Sequence, residues 1–107
     1  MISCQFIFQP GEYDDEFAAL DDSIEAFAKS LAGFVGVDKW RAENGAPILN
    51  YIYYFTDMDA VRELARFSDH LTAKRDYARW YDGYKIVVSD VQRTYGDGRL
   101  EGLTEIG

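Results

Sequence analysis

Trp80-Tyr81-Asp82-Gly83-Tyr84 runs directly into Lys85-Ile86-Val87-Val88-Ser89-Asp90-Val91 and stops at Arg93-Thr94-Tyr95-Gly96-Asp97-Gly98. An aromatic helix end, a glycine turn, a long apolar strand and a glycine-rich stop follow one another. Such a stretch closes a fold, because a helix feeding a strand through a short turn lays the strand back on a sheet. The expected last strand is Tyr84 to Tyr95, apolar on both faces through Ile86 and Val88 and through Val87 and Val91. Upstream, Ser68-Asp69 caps a helix expected over His70 to Tyr81.

The segment before that is a third strand, Ile48 to Phe55, opened by Pro47. Ile48, Asn50, Ile52 and Tyr54 alternate with Leu49, Tyr51, Tyr53 and Phe55, again apolar on both sides. Asn44-Gly45 is the hairpin signal that joins it to a second strand, Phe34 to Glu43. Between the two C-terminal parts, Thr56 is the expected N-cap of a short helix bearing Val61, Leu64 and Ala65. At the N-terminus, Ile2 to Gln9 alternates as a strand and Pro10-Gly11 ends it. Asp14 to Leu31 then reads as a helix, with Phe17, Leu20, Ile24, Phe27, Ala28 and Leu31 on one stripe. Asp14, Asp15 and Glu16 in its first turn and Lys29 near its end suit the helix dipole.

The order is β-α-β-β-α-β, an α+β, ferredoxin-like arrangement with a four-stranded antiparallel sheet. Its single domain covers residues 1–98, and 99–107 form a tail. Two helices cover one face of such a sheet, and an uncovered apolar face is a liability for a lone chain. A second copy, sheet facing sheet, is therefore expected: a homodimer forming a dimeric α/β barrel.

Composition narrows the partners. The chain has 107 residues and a formal charge of −8. That balance argues against nucleic acid, which needs a basic patch, and against an anionic membrane surface. No apolar run approaches the ~20 residues of a membrane span, and no signal-peptide pattern opens the chain, so a cytoplasmic protein is the expectation. Eight Tyr and seven Phe point to a core or interface built of rings. The one cysteine, Cys4, has no activating neighbour and reads as a buried thiol. The acidic run Asp14, Asp15, Glu16, Asp21, Asp22 is explained by capping and solvation. No phosphate loop, dinucleotide fingerprint or Ser/His/Asp set is present.

His70-x-x-Ala73-Lys74-x-x-Tyr77-x-x-Trp80-Tyr81-x-Gly83-Tyr84, with the element order and the Asn44-Gly45 hairpin, resembles the antibiotic-biosynthesis-monooxygenase-like family of dimeric α/β barrels. The resemblance spans roughly residues 2–98. It implies a fold and a choice of activities: cofactor-independent, quinone-forming oxygenation, haem degradation, or none assigned. The haem-degrading branch implies a histidine a few residues after a Ser-Asp pair. Arg75 stands there instead, and His70 is out of register.

Six residues could carry chemistry. His70, the only histidine, is a candidate proton acceptor, or a helix-start residue bonded to Asp69 or the backbone. Tyr77 and Trp80 share its helical stripe, as walls of an aromatic slot or as core. Asn50 interrupts an apolar strand face and either orients a substrate oxygen or bonds across the sheet. Tyr51 and Tyr53, on the opposite face, fit a dimer or barrel interior or a binding wall. The resemblance implies a monooxygenase acting on an aromatic or polycyclic hydroxylated small molecule, with no cofactor and no metal. The alternatives are a non-catalytic dimer that binds a small molecule, or a haem-binding protein.

Overall fold

The computed structural model describes residues 1–100. Strand β1 spans Ile2–Pro10, helix α1 Asp15–Ser30, β2 Phe34–Arg41, β3 Leu49–Phe55, α2 Met58–Arg66, α3 Ser68–Asp76 and β4 Tyr81–Asp90, with a 3-10 turn over Tyr77–Arg79 before β4. The sheet order is β2-β3-β1-β4, and every pairing is antiparallel. This is the expected α+β, ferredoxin-like architecture. Most of the expected tail, 101–107, lies outside the described residues. No helix among the described residues is long and apolar enough to cross a membrane.

Register fixes which side chains share a face. Ile2, Cys4, Phe6 and Phe8 stand level with Phe55, Tyr53, Tyr51 and Leu49 on β3 and with Asp90, Val88, Ile86 and Tyr84 on β4. A bulge after Phe34 keeps Val37 and Lys39 on this same face, opposite Tyr53 and Tyr51. The helices cover it. Ala28 and Phe55 are fully buried and Ala60 is 5% exposed; Cys4, Leu31, Phe34, Tyr53, Val61 and Leu64 pack around them. Burying a ring such as Phe55 stabilises the fold by about 1.5–3 kcal/mol.

Local chemistry explains the helix ends. Asp14 caps α1 by accepting from the Phe17 amide at 2.8 Å, relieving one of the first-turn donors that have no partner inside the helix. At α2 the cap is Asp57, not the expected Thr56. Its carboxylate accepts from the Asp59 and Ala60 amides at 3.0 and 3.3 Å.

The helix expected over His70 to Tyr81 runs instead from Ser68 to Asp76 and gives way to a 3-10 turn over Tyr77–Arg79. The break that separates it from α2, where the sequence expected one, falls at Phe67, which is extended at φ −60° and ψ 131°. The Phe67 ring stacks on Phe27 of α1 at 4.1 Å. Asp69 does not cap α3. It accepts a 2.5 Å hydrogen bond from Ser23 Oγ on α1, which ties α3 to α1. Strand β4 begins at Tyr81, three residues before the expected start, because Gly83 pairs with Gln9 inside the ladder. It ends at Asp90, and the stretch expected as strand to Tyr95 has no regular structure.

Two glycines have specific work. Gly45 takes φ +83° at the tip of the β2–β3 connection, a conformation that side chains disfavour. Gly11 donates its amide to the Trp80 carbonyl at 2.7 Å, and a Cβ there would lie 2.8 Å from that oxygen. Gly11→Ala is expected to destabilise the fold by about 1–3 kcal/mol, the usual range for overpacking. Urea denaturation at pH 7 reads this as a lower midpoint with an unchanged slope. An unchanged midpoint would mean that the contact yields freely.

Candidate functional site

The helix-facing side of the sheet is closed at two places and open at one. At the α2 end, the Phe55 core closes it. At the start of α1, a ring cluster closes it. Phe6 and Phe8 stack at 4.7 Å, Tyr81 lies edge-on to both, and Tyr13 stacks on Phe17 at 4.0 Å. Edge-to-face and offset contacts of this kind suit the ring quadrupole.

Along β4 the same face stays open. Tyr84, Ile86 and Val88 point to the helix side, yet they are 47%, 51% and 48% exposed. The physical reason lies in α3, whose anchors, Asp69 and the preceding Phe67, both reach α1. Tyr77, 41% exposed, bridges the gap at one end by meeting Tyr84 edge-on at 4.9 Å. The result is an apolar strip with an aromatic end wall.

His70 lies on α3, two helical turns before Tyr77, which puts both on one side of the helix. Its ring is half-buried, and Nδ1 is buried with no hydrogen-bond partner. Burial lowers its pKa below 6.5 and the nearby Lys74 charge lowers it further, against a hydrogen bond to the Ala65 backbone that raises it. The ring is therefore neutral at pH 7 and keeps an unused lone pair. Of the two bonds expected of a helix-start histidine, the one to the backbone is formed, at Ala65, and the one to Asp69 is not, since Asp69 serves Ser23.

Trp80 does not stand beside His70. It has left the helix and is 1% exposed at the foot of α1. Its Nε1 donates to Asp14 Oδ1 at 3.0 Å, and its ring packs on Phe17. Asn50 points to the helix-free face and donates from Nδ2 to Gln5 Oε1 at 3.0 Å, a cross-sheet bond. Tyr51 and Tyr53 point to the helix side. Tyr51 meets Phe8 edge-on at 5.0 Å and carries the Lys39 ammonium over its ring at 4.9 Å. Tyr53 packs on the Phe55 core, and burial raises its pKa well above the usual phenol range, so it stays protonated.

A group that the sequence did not single out lies beside these tyrosines. Lys39 Nζ donates to Glu25 Oε1 at 3.0 Å, and Lys29 pairs with the same oxygen at 3.1 Å. Burial pushes the Glu25 carboxyl up, but these two ammonium groups outweigh it and hold it low. The Asp21 carboxyl is raised, first by burial and then by Glu25. Glu25 and Lys39 are far apart in sequence, and only the α1–β2 packing brings them together.

A separate concavity of about 270 Å³ lies at the opposite end, lined by Leu31, Gly33, Thr56, Asp57, Ala60 and Glu63 among others. None of the six expected residues lines it. Among the described residues, no three of His, Cys, Asp or Glu stand together as a metal-ligand set.

No family model and no curated protein matches the chain. Solved structures do. The chain is similar to SnoaB, a cofactor-independent oxygenase from Streptomyces nogalater, at 18% identity over 90% of this chain and 97% of that one, with a TM-score of 0.69. It is similar to a DABB family protein with a ferredoxin-like fold from Mesorhizobium loti at 13% identity, 84% and 95% coverage and a TM-score of 0.60. It is also similar to a dimeric protein of unknown function with a ferredoxin-like fold from Bacteroides fragilis, at 14% identity, 84% and 95% coverage and a TM-score of 0.56. At such identities the likeness is one of fold. It agrees with the fold implied by the resemblance to the antibiotic-biosynthesis-monooxygenase-like proteins.

Proposed function

We propose that this protein is a homodimeric, cofactor-independent oxygenase. In this reading it takes a small, planar, hydroxylated aromatic molecule in the strip between α3 and β4. The half-open apolar strip of Tyr84, Ile86 and Val88, walled by Tyr77, carries this reading. An apolar cleft with few polar groups is the usual form of a small-molecule site. The likeness to SnoaB supports it by analogy of fold.

His70 is the proposed base, because a neutral imidazole with an unused lone pair can take a proton. Tyr77 stacks the substrate at the strip's end. Tyr51 and Tyr53 extend the aromatic floor towards β3, while Trp80 holds the architecture from behind. Asn50 serves the sheet.

The chemistry balances without a bound group. His70 takes a proton from the acidic carbon of an anthrone-type substrate, and the carbanion delivers its electrons to dioxygen. A carbon–oxygen bond forms, giving a hydroperoxide. Loss of water then leaves a quinone carbonyl holding one oxygen atom, while the other departs in the water. The protein's part is to exclude bulk water and hold the ring flat.

Aerobic incubation with anthrone and substituted hydroquinones tests the reading with an oxygen electrode. Oxygen consumption above the protein-free rate, with quinone product, is expected. No consumption with any of these compounds, alongside a thermal shift, would replace the oxygenase by a binding protein.

A further inference from the structure

The helical layer carries a cation without a partner. Lys74, on α3, is exposed and forms no ion pair among the described residues. The acids of its own helix are engaged elsewhere. Asp76 is held by Arg75 at 3.1 and 3.0 Å, and Asp69 takes the Ser23 hydroxyl. Lys85 forms no ion pair among the described residues either, so the lack of a partner alone assigns nothing. The place of Lys74 sets it apart.

Lys74 lies one helical turn after His70 and one before Tyr77, so the three side chains stand one above another on one side of the helix. Tyr77 still has helical angles, φ −53° and ψ −36°, and the stripe reaches it unbroken. That side turns to β4, because Tyr77 meets Tyr84 edge-on. The Lys74 charge reaches the His70 ring, where it opposes protonation. Tyr84, Ile86 and Val88 are uncharged walls, and a charge beside apolar walls acts more strongly than one in bulk water. Once His70 has taken a proton, the substrate's negative charge spreads from carbon onto its ring carbonyl oxygen. Those walls offer that oxygen little. A cation set where charge develops is a large part of many rate enhancements.

We propose that Lys74 is the counter-ion of the substrate: its ammonium group pairs with the ring oxygen of an enolisable aromatic ketone as that oxygen becomes anionic. The inference rests on the oxygenase reading and adds to it the group that holds the substrate's charge. The carbon–hydrogen bond breaks, its proton goes to His70, and its electron pair passes into the enolate. Lys74 keeps all of its protons. The enolate then lies between imidazolium and ammonium, so each cation faces an anion and their mutual repulsion is offset. A ring without an oxygen to carry the charge gains nothing from Lys74, so the site selects rings that bear a carbonyl.

Titration of alizarin bound to the full chain, followed by visible absorbance, tests it without any oxidation. Alizarin is planar and hydroxylated and is already a quinone, and its ionised hydroxyl stands in for the enolate oxygen. Bound to the wild type, it is expected to ionise about 1–3 pH units below the free dye, the effect of an opposite charge within hydrogen-bonding reach. Lys74→Arg keeps this shift, Lys74→Met abolishes it, and His70→Gln leaves it in place. Lys74 is exposed, so its variants keep the wild-type circular dichroism. With anthrone, Lys74→Met is expected to lower kcat about 10-fold at an unchanged KM, because the pair forms only as charge develops. That is less than the loss of a buried oxyanion donor, since solvent screens an exposed charge. A shift that survives Lys74→Met, or one lost in His70→Gln instead, overturns the counter-ion and leaves the oxygenase standing. A Lys74-dependent shift in a protein that consumes no oxygen keeps the anion contact and overturns the oxygenase alone. Alizarin that does not bind overturns the site and the counter-ion together.

Discussion

Replacing Trp80 by alanine is expected to remove about 3–5 kcal/mol of folding stability, the range seen when a buried tryptophan or phenylalanine is truncated. Domains of this kind hold only about 5–15 kcal/mol, so the variant sits at the edge of unfolding at 25 °C. The size of the loss follows from what Trp80 joins. Its indole is 1% exposed and packs on Phe17 at 5.6 Å. Its Nε1 donates to Asp14 Oδ1, the same oxygen that caps α1 through the Phe17 amide. The Arg79 guanidinium lies 4.8 Å from the indole and pairs with Asp14 and Glu16. One side chain thus fixes the start of α1 against the start of β4.

A gentler change separates the parts. Trp80→Phe keeps most of the apolar area and deletes only the N–H, and about 1–3 kcal/mol is expected for a part-buried hydrogen bond to a carboxylate. Guanidinium denaturation followed by circular dichroism reads both variants. Acid sensitivity gives a second check. The Asp14 pKa is lowered, first by the Phe17 amide bond, against a desolvation effect that comes next in size, and further by the Trp80 bond and then Arg79. A lowered carboxylate pKa means that its stabilisation is complete above the unfolded value, 3.8, and is lost as pH falls through the folded one. In Trp80→Phe the folded pKa moves back towards 3.8, so the acid loss of stability attributable to Asp14 becomes smaller. A Trp80→Ala protein as stable as the wild type would mean that the indole is not part of the core.

The fate of Trp80 shows how far the chain could be read. Element order and α1 were legible because a long 3.6-residue stripe and an acidic first turn agree with each other. The stripe from His70 through Tyr77 was legible too, but its extension to Trp80 assumed a helix that stops at Asp76. Nothing local marks that stop. It follows from tertiary packing, in which Trp80 meets Asp14 and Phe17 at the far end of the chain. Gly83 read as a turn because glycine usually is one, whereas here it continues the ladder. The two faces of β3 posed a different problem. Alternation of period two says that Tyr51 and Tyr53 oppose Asn50, but it carries no sign, so it cannot say which face the helices take. Both tyrosines went to the helices and Asn50 to the open side. The apolar row on β4 that remains uncovered is Tyr84, Ile86 and Val88, beneath the helical layer, while the opposite side mixes Ile7, Ile52 and Val87 with Gln5, Asp38 and Lys85.

Replacing His70 by glutamine is expected to lower kcat/KM for anthrone oxidation about 10²- to 10⁴-fold, the usual contribution of a positioned base. Glutamine fills similar space and can still donate to the Ala65 backbone, but it cannot take a proton. The pH profile gives the signature that a merely structural residue would not. Burial and Lys74 hold the His70 pKa below 6.5, so the wild-type ring stays neutral from alkaline pH down past that value. Its rate is expected to fall only on the acid side of 6.5, as the imidazole takes up a proton and loses its lone pair. In His70→Gln that acid limb disappears, and the residual rate follows the ionisation of the substrate itself. Stability moves in the same direction for the same reason. An unfolded histidine binds its proton near pH 6.5 before the folded one does, so the stability held by the neutral ring is complete above that pH and is lost as pH falls below it. His70→Gln removes this part of the acid destabilisation, and a thermal melt at each pH separates it from the kinetic effect. If turnover and its acid limb both survive the substitution, the proton is taken by another group. The strip of Tyr77, Tyr84, Ile86 and Val88 would then hold a molecule whose chemistry His70 does not start.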